Sequence, residues 1–229
     1  MPAYLAKPDG DARGAVIVIQ EAFGVTTYIE DVCRRLAGQG WWALAPALFH
    51  RQGAPVFSYD DIQAARPVMG QLSADGITAD LEGAFTFTAG AGFATSQTAI
   101  IGFCMGGTVA MYGGTLRSLG AAVTFYGGGI TQGRFGLPGL AELAPQLTSP
   151  WFGAYGDRDQ GIPVDEVEEL RKAAATAGVP TEIMRYPDAD HGFHCDDRPS
   201  VFNADAAADA WSRALTWFDR YVGATPPPS

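Results

Sequence analysis

Thr98-Ala99-Ile100-Ile101-Gly102-Phe103-Cys104-Met105-Gly106-Gly107 carries a short apolar run straight into a run of small residues. Thr98 to Phe103 has the length and apolar content of a buried strand, and Met105 to Leu116 reads as a helix. A strand handing over directly to a helix is the repeating unit of an α/β sheet. The same alternation extends outward in both directions. Upstream, Ala15-Val16-Ile17-Val18-Ile19 is a continuous apolar run, as expected of a strand covered on both faces. The helix after it has Thr27 and Glu30 at the spacing of a capping box, and Ile29, Val32, Cys33 and Leu36 on one apolar stripe. Trp41 to Ala45 reads as the next strand, closed by Pro46. His50 to Gly76 is polar and interrupted by Pro and Gly, with one helix expected over Ile62 to Leu72 and another over Thr78 to Thr88. Downstream, strands are predicted at Ala121 to Tyr126, Trp151 to Tyr155 and Glu182 to Tyr186, separated by a Gly-rich stretch and by a helix over Val164 to Ala177. The last helix is the clearest, with Ala207, Ala210, Trp211, Ala214, Leu215, Phe218, Tyr221 and Val222 at helical spacing. Residues 1–223 therefore read as a single α/β domain with a mostly parallel central sheet and helices on both faces. Residues 224–229 (Ala-Thr-Pro-Pro-Pro-Ser) form a flexible Pro-rich tail that should fray.

Composition bounds what such a domain can do. Apolar residues make up 47% of the 229, enough for a substantial core. Acidic side chains outnumber basic ones 25 to 15, for a net charge of -10. That charge repels phosphate backbones and anionic lipid, so neither nucleic acid nor membrane is expected as a partner. No apolar stretch approaches the ~20 residues that span a bilayer, and the N-terminus lacks the pattern of a signal peptide. Three Cys in no paired spacing argue against a disulfide framework or a zinc motif, and a reduced, cytoplasmic protein is the expectation. His191, His194 and Cys195 lie close together, but they have no distant partner pair, and no metal is expected. Cys33 reads as core, as does the Trp41-Trp42 pair.

The chemistry starts from Gly102-Phe103-Cys104-Met105-Gly106. Gly on both sides of a central nucleophile at a strand-to-helix junction is the nucleophile-elbow pattern, here with Cys in the place of Ser. The sulfur would sit at a helix N-terminus, which favours thiolate, and the N–H of Met105 would point where an oxyanion forms. The competing interpretation is a buried cysteine in a Gly-rich turn. An elbow requires an acid and then a base further along the chain. Of the three histidines, His191 follows the last predicted strand, in Asp190-His191-Gly192-Phe193, while His50 lies in the polar connection. Gly156-Asp157-Arg158-Asp159, after the strand at Trp151, offers two acids, either of which may instead form the turn. Tyr126 and Phe193 are further candidate substrate contacts.

These motifs resemble the dienelactone hydrolases (carboxymethylenebutenolidases), a branch of the α/β-hydrolase fold with a Cys-His-Asp triad. The resemblance runs from Gln20-Glu21-Ala22-Phe23-Gly24-Val25 through the elbow and Phe125-Tyr126-Gly127 to the loop of His191. It implies Cys104 as nucleophile, His191 as base and Asp159, four residues before Pro163, as the acid. It implies that the N–H groups of Ala22 and Met105 form the oxyanion hole and that Glu21 hydrogen-bonds the resting thiol. No cofactor is implied, and the expected partner is a small ester or lactone, met by a monomer or small homo-oligomer. Where the family carries a carboxylate-binding Arg four residues after the histidine, this chain has Cys195. Arg66 and Arg198 are the candidates for that task. The departure separates the hydrolase reading, which the triad carries, from the choice of substrate. The alternatives are a broader carboxylesterase or thioesterase, and a non-catalytic redox-sensing thiol protein.

Overall fold

The continuous apolar runs become strands with no exposed residue. β2 (Ala15–Ile19), β3 (Trp42–Pro46), β4 (Thr98–Phe103), β5 (Ala121–Phe125) and β6 (Trp151–Gly156) are buried along their whole length. Helices on both faces of the sheet impose this pattern. The structure is a computed structural model describing residues 1–223; the Pro-rich tail expected at 224–229 lies outside the described residues. The chain opens with β1 (Ala3–Ala6) and closes its sheet with β7 (Thr181–Tyr186). The helices are α1 (Thr27–Gly38), α2 (Ile62–Met69), α3 (Ala74–Gly90), α4 (Met105–Leu116), α5 (Leu140–Leu143), α6 (Val164–Ala174) and α7 (Ala204–Tyr221). The strand order is β1-β3-β2-β4-β5-β6-β7. Only β1 runs antiparallel, pairing Tyr4 with Ala45; the others are parallel, with Ile17 opposite Ile100 and Ile101 opposite Val123. The expected single-domain, mostly parallel sheet is therefore what the chain forms. No helix among the described residues is long and apolar enough to cross a membrane.

Several boundaries differ from the sequence expectation. Strand β1 was not anticipated: its four residues alternate exposed and half-buried, too short and too wet to stand out from a disordered start. Helix α1 is capped by Thr26, whose hydroxyl accepts from the Ile29 N–H at 3.4 Å, and not by a box at Thr27. Thr27 instead donates to Asp197 at 3.2 Å. The stripe of Ile29, Val32, Cys33 and Leu36 is fully buried, as read. Trp41 is also buried, packed edge-on against Phe218 of α7 at 5.7 Å.

Parallel strands share one polarity, so their C-terminal ends lie along one edge of the sheet, the place where such folds build their sites. Glu21 follows β2, Cys104 follows β4, Tyr126 follows β5, Asp159 follows β6 and His191 follows β7. Residues far apart in sequence thus converge at one edge.

Candidate active site

The turn between β4 and α4 is as tight as the glycine pattern implies. A Cβ on Gly102 would lie 1.9 Å from the Gly106 carbonyl oxygen, and one on Gly106 would lie 2.4 Å from that of Gln20. No side chain fits at either position. Cys104 itself is held at φ 56° and ψ -121°, a region that L-residues rarely adopt. Its N–H donates to the Phe125 carbonyl at 3.1 Å, which ties the elbow to β5. Such local strain persists only where the surroundings over-determine it. The backbone N–H groups of Ala22 and Met105 are both buried, and neither donates a backbone hydrogen bond among the described residues. The close approach of Gly106 to Ile19 and Gln20 brings the segments carrying these two donors together.

Asp159 and His191 meet across the same edge. His191 Nδ1 lies 2.6 Å from Asp159 Oδ2, while Asp159 Oδ1 accepts the Gly161 N–H at 2.8 Å. A carboxylate only accepts, so Nδ1 carries the proton and Nε2 is the nitrogen left for a reacting group. Burial disfavours the charged ring, but the negative Cys104 thiolate and the Asp159 carboxylate outweigh it and push His191 up to about 10. The other acid of the loop is engaged elsewhere. Arg185 grips Asp157 with Nε and Nη2, each at 2.8 Å, and reaches Glu168 with Nη1. Asp157 therefore secures the loop to β7 and α6, and only Asp159 reaches the imidazole. His50, the third histidine considered, pairs at 3.0 Å with the buried Asp80 on α3, which Arg51 also binds.

Glu21 is fully buried. Its Oε1 accepts from the Tyr126 hydroxyl at 3.4 Å, and Oε2 has no hydrogen-bond partner among the described residues. Burial raises its pKa, opposed by the charges of Arg198 and His191 and by hydrogen bonds from Tyr126 and Tyr59. The implied hydrogen bond between Glu21 and the resting thiol is not formed, because the thiol is coupled instead to His191.

The expected substrate contacts sort differently. Tyr126 and Phe193 are completely buried, so neither presents a surface to a substrate. Tyr126 turns its hydroxyl to Glu21, and Phe193 packs against Tyr126 and Tyr186 at 5.4 and 5.2 Å, forming a wall behind His191. Arg66 is exposed on α2, whose buried face is Ala65, and it lines no part of the cleft beside His191. Arg198 does line it. The cleft measures about 370 Å³ and is bounded by Arg134, Asp159, Gln160, Ile162, Asp190, His191 and Arg198, among others. The Arg198 guanidinium lies over the rings of Phe23 and Tyr59 at 5.7 and 5.8 Å, and a Cβ on Gly192 would strike it at 2.5 Å. Arg134 was missed. Its stem lies along the backbone of Gly128 and Gly129, where an added Cβ on Gly129 would come within 2.8 Å. Neither arginine has a salt-bridge partner among the described residues. The only sequence signal for Arg134 was a lone cation in a Gly-rich stretch.

Comparison with known proteins follows this geometry. The profile described as the dienelactone hydrolase family matches residues 1–222. A Yersinia pestis protein provisionally named carboxymethylenebutenolidase is 38% identical over 234 residues, covering 100% of this chain and 87% of its own length. One of the same provisional name from Methylorubrum extorquens is 37% identical, covering 96% of this chain and 77% of its own. A solved structure from Klebsiella pneumoniae, provisionally titled dienelactone hydrolase, superposes with a TM-score of 0.87 at 36% identity. It covers 96% of this chain and 93% of that one.

Proposed function

The chain belongs to the dienelactone hydrolase family and is a hydrolase of that type, and from this premise we propose that Cys104, His191 and Asp159 open ester or lactone bonds through a thioester acyl-enzyme. Cys104 Sγ attacks the carbonyl carbon, and the thiol proton passes to His191 Nε2. Asp159 fixes the ring with Nδ1–H toward the carboxylate and steadies the imidazolium. The N–H groups of Ala22 and Met105 receive the charge that develops on the carbonyl oxygen. The imidazolium then protonates the departing oxygen, and the acyl group rests on sulfur. A water deprotonated by Nε2 attacks the thioester, and the thiol leaves as the acid product forms. Glu21, buried and within electrostatic reach of His191, acts on the protonation of the thiol between turnovers. The observation that carries this reading is the 2.6 Å contact between Asp159 and His191, opposite a cysteine held at φ 56°.

Arg198 and Arg134 support an anionic substrate group in the cleft beside His191. Both guanidiniums lack an acid partner in a protein whose net charge is -10. Hydrolysis of a panel of lactones and aryl esters, neutral and carboxylated, by the parent and Cys104→Ala is the test. The expected result is loss of essentially all turnover in the variant; undiminished turnover would remove Cys104 from the mechanism.

A further inference from the structure

A line of buried polar groups leads away from Glu21, and the hydrolytic steps use none of them beyond the first. Tyr126 Oη donates to Glu21 Oε1 at 3.4 Å. The phenols of Tyr126 and Tyr28 are in turn hydrogen-bond neighbours. Tyr28 Oη lies 2.6 Å from His194 Nδ1. All four side chains are buried, between 0% and 3% exposed. Four different segments supply them: the ends of β2 and β5, helix α1 and the loop after β7. The rest of the surroundings of His194 is aromatic, with Phe103 stacked at 5.4 Å, Phe125 at 5.0 Å and Trp211 at 5.4 Å. Burial and the nearby Arg35 lower its pKa to about 3, against the opposing charge of Asp196, so the imidazole is neutral. A ring needed only for packing would be apolar, because burying an imidazole is costly unless its hydrogen bond is used.

We propose that Tyr28 and His194 are positioning residues, the far end of a one-way hydrogen-bond chain that holds the Glu21 carboxylate charged and oriented for its work on the Cys104 thiol. The inference rests on the assignment of Glu21 given under the proposed function. Proton counting gives the direction. An ionised carboxylate only accepts, so the single hydroxyl proton of Tyr126 goes to Glu21. The Tyr126 oxygen then accepts from Tyr28, and the Tyr28 oxygen accepts from His194. His194 must therefore be the Nδ1–H tautomer. The chain opposes the burial that raises the Glu21 pKa, alongside the charges of Arg198 and His191 and the hydroxyl of Tyr59. It also anchors the ring of Tyr126, whose backbone is held at φ 41°. Cys195 borders both tyrosines and Glu21, and its own thiol is pushed up to about 12 by burial, so it adds no charge at neutral pH.

Two measurements test the chain. ¹⁵N NMR of the parent protein reads the His194 tautomer without any substitution. Nδ1–H is expected; Nε2–H overturns the proposal, since Tyr28 would then give its proton to His194 and nothing would point toward Glu21. The second is a double-mutant cycle with Tyr28→Phe and Glu21→Gln, reading kcat, KM and the pH profile on an aryl ester. Tyr28→Phe should lower kcat/KM about three- to tenfold with KM unchanged, and move the acidic limb to higher pH, because a carboxylate that loses a donor is easier to protonate. In the Glu21→Gln background the same substitution should change kcat/KM by less than about 1.5-fold. Equal losses in both backgrounds would overturn the proposal. Full activity of Cys104→Ala would sink the hydrolytic assignment alone, because the tautomer measurement depends on no turnover.

Discussion

Asp157 and Asp159 lie two residues apart in one loop, and exchanging each for Asn should produce opposite phenotypes. In Asp159→Asn the carboxamide oxygen can still take the Gly161 N–H, now 2.8 Å from Oδ1, while the amide nitrogen faces His191 Nδ1. A donor there forces Nδ1 to accept and moves the ring proton to Nε2, the nitrogen that must take the thiol proton. Loss of the productive tautomer costs about 10³- to 10⁴-fold in kcat, or about 4–5.5 kcal/mol of barrier. The fold loses little, about 1 kcal/mol for a weakened hydrogen bond. Asp157→Asn reverses the pattern. It removes the charge from a two-bond pair with Arg185, both contacts at 2.8 Å, in which the side chains are 29% and 20% exposed. A pair this far from solvent falls between surface and buried ion pairs, about 1–2 kcal/mol. For a domain of this size that is a fall of about 2–8 °C in Tm, with kcat within about twofold of the parent. Aryl-ester turnover and a thermal melt on the same preparations read both effects. An inactive Asp157→Asn beside an active Asp159→Asn would refute the geometry from which the roles were assigned.

Gly106→Ala should cost about 3 kcal/mol or more, since its Cβ would meet two backbone oxygens at 2.4 and 2.5 Å, whereas Gly83→Ala, with nothing within 4 Å on α3, should gain about 0.5–1 kcal/mol; melting curves check both. His191 should titrate near 10 by NMR in the parent and at lower pH in Cys104→Ala, which removes the thiolate that raises it. Because its folded pKa is raised, the stability it contributes is present in full below about pH 6.5 and is lost as the pH climbs through about 10; parallel melts across that window test the sign. Arg198→Ala and Arg134→Ala should each raise KM for a carboxylated lactone about tenfold or more and leave a neutral ester unchanged, and Arg66→Ala should alter neither; uniform small effects would argue for a neutral substrate.

What the sequence disclosed depended on how local each cause was. Strands β2, β4, β5 and β6 are continuous apolar runs, and their burial on both faces follows from composition alone. The elbow was equally legible, because its glycines answer clashes within five residues of chain. Strand β1 was not, since a half-wet strand forms only by adding to β3, about forty residues away. Thr26 and Thr27 are chemically equivalent as caps, and only the path of the entering chain selects between them. At the site, Arg134 owes its position to Gly128 and Gly129 lying flat beneath it, a relation that periodicity does not encode. Tyr126 and Phe193 were read as pocket residues because they sit beside strand ends. Their burial comes from partners such as Tyr186 and Glu21, which only the folded chain supplies.

The acidic surplus of the chain and the basic character of its cleft are compatible, because charge acts over a limited range in salt. At physiological ionic strength exposed charges are screened beyond about 8 Å, so an anion entering beside His191 responds to the nearest groups and not to the total. Several acids elsewhere are already matched: Asp157 by Arg185, Asp80 by Arg51, Asp209 by Arg213 and Glu82 by Arg117. Arg134 and Arg198 have no such partner, although acids outnumber bases 25 to 15. Asp190 shares their cleft without a salt-bridge partner of its own, which sets the balance of that cleft at two unpaired cations against one free acid and the Asp159 already bound to His191. An anionic substrate would therefore be drawn to the imidazole's side of the site, while the buried Glu21 keeps its own charge on the far side of the ring system, held by Tyr126 where solvent does not reach.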